Sequence, residues 1–300
     1  MSSPRFLLLS TLLLAGCAQA NPPAAAPDCA ALPTALRHAL KQNDFDQAAT
    51  VLAQEANACP QPVVQQDKLL YSRALAQQAN AALDQGRVDQ AEALINRAEA
   101  LSWAANSVRG HIAARRQDWK EAALQYHLAL DLLDSPGQLD AGQDAAKIRT
   151  WMYQLASEAQ AISGEVSVIT TRDGGESLLL GRRVDVEESI PVQFDTDSAT
   201  LNDKGRQSAD HLAAYLRKQD GAGTVTVVGH TDERGSEDYN LKLSRRRAET
   251  IVAYLKANGV KQTLIPDGKG ESQPKPPTDS KRLNQDQTWA IQRRVEIIEN

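Results

Sequence analysis

The sequence predicts a multidomain chain, an all-α domain built as a helical repeat or a bundle followed by an α+β sandwich domain. Three observations lead there. From about Asp28 to Ser163 the chain is rich in Ala, Leu, Gln and charged residues, with apolar positions at helical spacing and few β-branched clusters. Near Gly164 the composition changes to short β-branched runs separated by turn residues and alternating with amphipathic helices. A length of 300 residues, 42% of them hydrophobic, is enough for two cores.

Ahead of the helical stretch, Arg5 precedes the apolar runs Phe6 to Leu9 and Leu12 to Ala15. That is the charge and length of an export signal, too short to span a bilayer. The run closes on Leu14-Ala15-Gly16-Cys17, which resembles the bacterial lipobox. The resemblance implies a signal peptide over residues 1–16 and an acylated Cys17 as the mature N-terminus. Ala18 follows where an Asp would favour the inner membrane, so the resemblance points to the outer membrane, with the protein facing the periplasm. Several acyl chains make such anchoring stable, at about 0.8 kcal/mol per buried methylene. Residues 17–27 contain Pro22, Pro23 and Pro27; at about 3.1 Å per residue this extended tether would lift the next domain roughly 30 Å from the lipid.

The helical domain is placed at residues 28–163. Gly86-Arg87-Val88-Asp89-Gln90-Ala91 is echoed by Gln117-Asp118-Trp119-Lys120-Glu121-Ala122, a period of 31 that also sets Ala98 over Ala129. A weaker echo is Asp44-Phe45-Asp46-Gln47-Ala48-Ala49. The pattern resembles tetratricopeptide repeats, whose usual period is 34; an Ala-rich bundle with chance self-similarity reads the same residues. Stacked repeats would offer a concave surface for a protein partner. Cys29 and Cys59 stand in a compartment that permits a disulfide, and bridged and free thiols both remain open. Asp140 to Ala161 is predicted as the last long helix.

Residues 164–300 open with a hairpin, Val166 to Thr171 turning at Asp173-Gly174-Gly175 into Leu178 to Leu180. A strand is predicted over Ile190 to Phe194, then a helix with Ala209, Leu212, Ala213 and Leu216 on one face, and the strand Thr224 to Val228. A second helix places Ala248, Ile251, Val252 and Leu255 together; short strands around Leu264-Ile265 and Val295 to Ile298 follow. Residues 272–289, with Pro274, Pro276 and Pro277, read as a polar surface loop.

Several function classes find no residues. The 33 basic and 38 acidic side chains give a formal charge of -5, without a basic patch interleaved with aromatics, so nucleic acid is a poor partner. No nucleophile elbow, phosphate-cradling loop or His-Glu-x-x-His pair occurs, and the histidines lack metal-ligand spacing. The chain is read as a non-enzyme with no cofactor and no metal. The informative stretch is Val228-Gly229-His230-Thr231-Asp232 through Arg247-Ala248, a buried strand ending at a glycine, a polar loop, then a helix with acidic residues in its first turn. A loop folded back on that helix would bring Asp232 and Arg247 together. Such a pair suits a ligand carrying both an ammonium and a carboxylate, because Arg grips a carboxylate through two parallel hydrogen bonds and Asp accepts from the ammonium.

From about Ser189 to Asn300 these residues, with Phe194-Asp195-Thr196-Asp197, Gly268-Lys269-Gly270-Glu271 and Arg293-Arg294-Val295-Glu296-Ile297, resemble the OmpA-like C-terminal domain of peptidoglycan-associated lipoproteins and flagellar stators. The resemblance implies non-covalent binding of the diaminopimelate in peptidoglycan stem peptides, with Asp232 and Arg247 as principal contacts. It adds Asn240, Leu243 and Thr231 nearby and Phe194 and Asp195 at the edge. One departure is Gln292, where the family has Asn.

Overall fold

A computed structural model of the chain describes residues 29–99, 101–164, 168–170, 176–178, 188–190, 192–195, 197–218, 223–279 and 282–299. The export signal, Cys17, the tether and the Asp173-Gly174-Gly175 turn lie outside them.

The first part is helical: α1 (Leu32–Lys41), α2 (Phe45–Ala58), α3 (Gln61–Asp84), α4 (Val88–Ile95), α5 (Trp103–Arg115), α6 (Trp119–Leu132) and α7 (Ala145–Ser163). The first six pair in sequence, and one turn serves all three pairs. The N–H groups of Asp44, Arg87 and Asp118 reach back to the carbonyls of Ala39, Ala82 and Ala113 at 3.0, 2.9 and 2.9 Å. Between them Asn43, Gly86 and Gln117 adopt left-handed φ of 57°, 73° and 62°, which closes each helix end with its last carbonyls satisfied. The side chains of Asp44 and Asp118 then cap α2 and α6. Ala48, Ala91 and Ala122 sit fully buried in the second helix of each pair, so the weak first echo belongs to the same structural series as the other two. Those alanines are 43 and 31 residues apart, and unequal spacing is what hides the series from a single-period search. Ala98 and Ala129 are both buried, but Ala98 lies beyond the end of the short α4 whereas Ala129 is inside α6.

A left-handed conformation costs a residue other than glycine about 1–2 kcal/mol. Gln117→Gly is therefore expected to raise stability by about 1 kcal/mol in urea unfolding; an unchanged midpoint would show that Gln117 relaxes without strain.

A disulfide joins Cys29, ahead of α1, to Cys59 at the end of α2, with Cα atoms 5.1 Å apart. Helix α7 starts at Ala145, later than the predicted Asp140, because Asp144 accepts from the N–H groups of Ala146 and Lys147 and fixes the first turn there. It stops at Gly164, φ 68°.

The second part is α+β. Strand β1 (Val168–Thr170) pairs antiparallel with β2 (Glu176–Leu178), apart from a four-stranded sheet. That sheet runs in the order β3 (Glu188–Ile190), β6 (Val295–Glu299), β4 (Thr224–His230), β5 (Thr263–Gly270). Strands β4 and β5 are parallel and the other neighbours antiparallel. Helices α8 (Asp203–Lys218) and α9 (Glu237–Ala257) pack on it. The core joins Val225, Val227, Leu264, Val295 and Ile297 of the strands to Leu212, Leu216, Ile251 and Leu255 of the helices, as the apolar spacing requires.

Two expectations change. The strand expected over Ile190 to Phe194 ends at Ile190, and Phe194 makes only an isolated bridge to Leu201. The surface loop expected over 272–289 contains the start of α10 (Gln285–Gln292), opened by a capping box in which Asn284 and Gln287 satisfy each other's N–H groups. The two parts touch through this segment: Glu158 of α7 accepts from the N–H and the hydroxyl of Thr278, both at 2.7 Å.

Candidate functional site

The loop between β4 and α9 is fixed at both ends. The Thr231 N–H donates to the Gly270 carbonyl at 2.9 Å, Ser236 caps α9 by accepting from the Tyr239 N–H, and Glu237 and Asp238 face the positive end of the helix dipole. Asn240 holds the middle, donating to the carbonyls of Asp232 (3.3 Å) and Arg234 (3.1 Å) and to the carboxylate of Glu271. Its amide thus positions the loop.

Asp232 is 5% exposed. Arg234 chelates its carboxylate through Nε (3.0 Å) and Nη2 (2.8 Å), and Arg293, at the end of α10, adds Nη1 at 2.8 Å. Burial pushes the carboxyl up, but these hydrogen bonds outweigh it and hold Asp232 at about 2.

Arg247 is 8% exposed. It donates Nε to the Ser198 carbonyl at 3.0 Å and lies 4.9 Å above the Phe194 ring. Burial lowers its pKa and the nearby Arg293 charge adds to that. Asp232 and Arg247 form no ion pair among the described residues; each lines the same cavity of about 640 Å³. Leu243 and Phe194 supply apolar wall, and Thr231, Asn240 and the exposed Asp195 complete its edge. All seven residues proposed from sequence therefore surround one space.

Beneath it, His230 is 2% exposed and donates to Glu296 at 3.1 Å, while Arg294 donates to the other oxygen at 2.7 Å. Burial acts upward on Glu296, yet His230 and Arg294 hold it at about 2. His230 is thus a buried support at the strand end. Gln292 clamps the backbone of Lys275 through both amide atoms, each at 2.7 Å, so the departure from Asn fastens the segment that carries Arg293.

Arg234 and Arg293 are the partners of Asp232 that sequence reasoning missed. Arg234 stands two residues from Asp232, a spacing that lets a loop side chain fold back on the carboxylate. Arg293 opens the Arg293-Arg294-Val295-Glu296-Ile297 run, but only the sheet pairing of β6 shows that it returns to the loop. Among the described residues no group of three or more His, Cys, Asp or Glu could hold a metal, and no helix is long and apolar enough to cross a membrane.

Residues 193–288 match the OmpA family. Over 85 residues the chain is 44% identical to outer membrane protein A of Klebsiella aerogenes, 28% of this chain and 24% of that protein. Over 72 residues it is 43% identical to the peptidoglycan-associated lipoprotein of Legionella pneumophila, 24% of this chain and 40% of that one. The chain thus spans less than half the length of these curated relatives. A solved peptidoglycan-associated lipoprotein from Burkholderia pseudomallei aligns at 27% identity over 37% of this chain and 89% of that chain, with a TM-score of 0.31. The part of the chain that builds the Asp232 and Arg247 cavity is an OmpA-like domain.

Proposed function

We propose that this domain binds peptidoglycan non-covalently through diaminopimelate, its carboxylate on Arg247 and its ammonium at Asp232. In this reading Cys17 is acylated in the outer membrane, the tether and the helical domain span the gap, and the protein links membrane to wall without catalysis. The observation that carries it is the state of Arg247: a buried guanidinium whose Nη atoms bond to no described protein group, in one cavity with a buried ionised carboxylate. A buried cation of this kind favours an incoming carboxylate strongly. The named relatives, outer membrane protein A and a peptidoglycan-associated lipoprotein, support an envelope location.

Co-sedimentation with purified sacculi tests it. Arg247→Ala is expected to weaken binding ~30-fold or more, the cost of truncating one partner of a buried charge contact, and Asp232→Ala to weaken it by less. Wild-type sedimentation by both folded variants would remove the wall-binding claim.

A second reading makes wall binding a means of placement, with the helical domain as an adaptor for a protein partner. The three like-turned helix pairs and the partly exposed Trp151, at 39%, favour it. Crosslinking through residues 28–163 that recovers no protein would count against it.

A further inference from the structure

We infer that Arg234 takes, in the protein by itself, the place of the ligand's ammonium, and so sets both the affinity of the wall site and its selectivity for an amine. The inference rests on the function proposed above. An ionised carboxylate offers about four lone-pair directions, and at Asp232 all are in use. Oδ1 accepts from the Arg234 N–H at 3.1 Å and from its Nε at 3.0 Å; Oδ2 accepts from Arg234 Nη2 and Arg293 Nη1, both at 2.8 Å. Arg247 is the opposite case, with only Nε engaged among the described residues. A zwitterion entering the cavity finds the guanidinium ready and the carboxylate taken.

Of the two guanidiniums on Asp232, Arg234 is the one placed to leave. Its side chain is 56% exposed against 39% for Arg293, and Arg293 terminates α10 and is anchored there by its N–H to the Trp289 carbonyl. Trp289 holds Arg234 on the carboxylate: the guanidinium carbon lies 4.3 Å above the ring centroid, and the indole N–H is aimed at Glu233 at 3.3 Å. Glu233 therefore orients Trp289, Trp289 stacks on Arg234, and Arg234 fills Asp232. Binding of an ammonium exchanges one cation on Asp232 for another, so the amine adds little net affinity. The carboxylate contact at Arg247 has no such competitor.

Calorimetric titration separates these contributions. The probes are the soluble stem tripeptide ending in diaminopimelate and the same peptide ending in 2-aminopimelate, which keeps the distal carboxylate and lacks the distal amine. Wild-type protein is expected to bind the two within about threefold, because the amine must displace Arg234. Arg234→Ala is expected to bind the diaminopimelate peptide about tenfold tighter and to prefer it by about tenfold or more, the size of a typical coupling between contacting groups. Trp289→Leu, which removes the stack and leaves both charges, should move affinity and selectivity part of the way. Weaker binding of both peptides by Arg234→Ala would make Arg234 a ligand contact and overturn the inference, as would equal selectivity in wild type and Arg234→Ala. If wild type binds neither peptide, or Arg247→Ala binds like wild type, it is the wall-binding reading itself that fails.

Discussion

Replacing Gly229 by alanine is expected to cost the OmpA-like domain about 3 kcal/mol, the upper end for overpacking a filled core. Gly229 lies in β4 directly under α9, where an added Cβ would stand 2.3 Å from the Ser244 carbonyl oxygen. The neighbouring strand makes the same demand, since a Cβ on Gly268 would stand 2.5 Å from the Arg245 N–H. These contacts are with helix backbone, so no side chain can swing aside. The helix cannot retreat either, because Ala248, Ile251, Val252 and Leu255 on its inner face are buried in the sheet core. Relief must come from lifting the first turns of α9, which carry Leu243 and Arg247. Gly229→Ala should thus lower both the urea midpoint and sacculus binding. A midpoint shift below about 0.5 kcal/mol, the range of a neutral surface change, would show that α9 is not pinned against the sheet.

That close approach was partly legible in the sequence: a β-branched strand ending in glycine before a polar loop places the loop, though not the helix that closes over it. The α9 face and the α8 face could be read from apolar spacing because both pack one side on one sheet. Helix α10 could not be read from hydrophobic periodicity. It is eight residues long with Ile291 as its one buried residue, and three prolines precede it. Its real signal was the Asn284 to Gln287 capping box, a polar pattern that apolar spacing passes over. The partners of Asp232 divide in the same way. Arg234 is local and could be inferred from reach, whereas Arg293 arrives from 61 residues away through the pairing of β4 with β6, a long-range fact that no local pattern encodes.

The helical part carries a pH dependence that extends to neutrality. Glu55 of α2 is 0% exposed, and among the described residues neither of its carboxyl oxygens finds a hydrogen-bond partner, nor does Oδ2 of Asp67 in α3, which is 2% exposed. Arg37 of α1 lies 3.8 Å from Asp67 with its own side chain half exposed, and its charge opposes the shift of Glu55 without outweighing it. Burial first, and then the Asp67 charge, push Glu55 from 4.5 up to about 7. Because its pKa is higher in the folded state, folding takes up a proton. The stabilisation is complete below the unfolded value of 4.5 and is lost as the pH rises through about 7. At about 1.4 kcal/mol for each tenfold change in proton affinity, the loss approaches about 3 kcal/mol by pH 8. Glu55→Gln cannot ionise, and its amide can donate to the unpartnered Asp67 oxygen. It is expected to stabilise the helical part by about 2 kcal/mol at pH 8 and to be close to neutral at pH 4.5. Urea unfolding at the two pH values, followed by helical circular dichroism, reads the difference directly. A variant less stable than wild type at pH 8 would mean that Glu55 is ionised and held by Arg37, reversing the sign. The Cys59 N–H donates to the Glu55 main-chain carbonyl at 2.8 Å, so the Cys29–Cys59 disulfide closes the chain about one helical turn after Glu55.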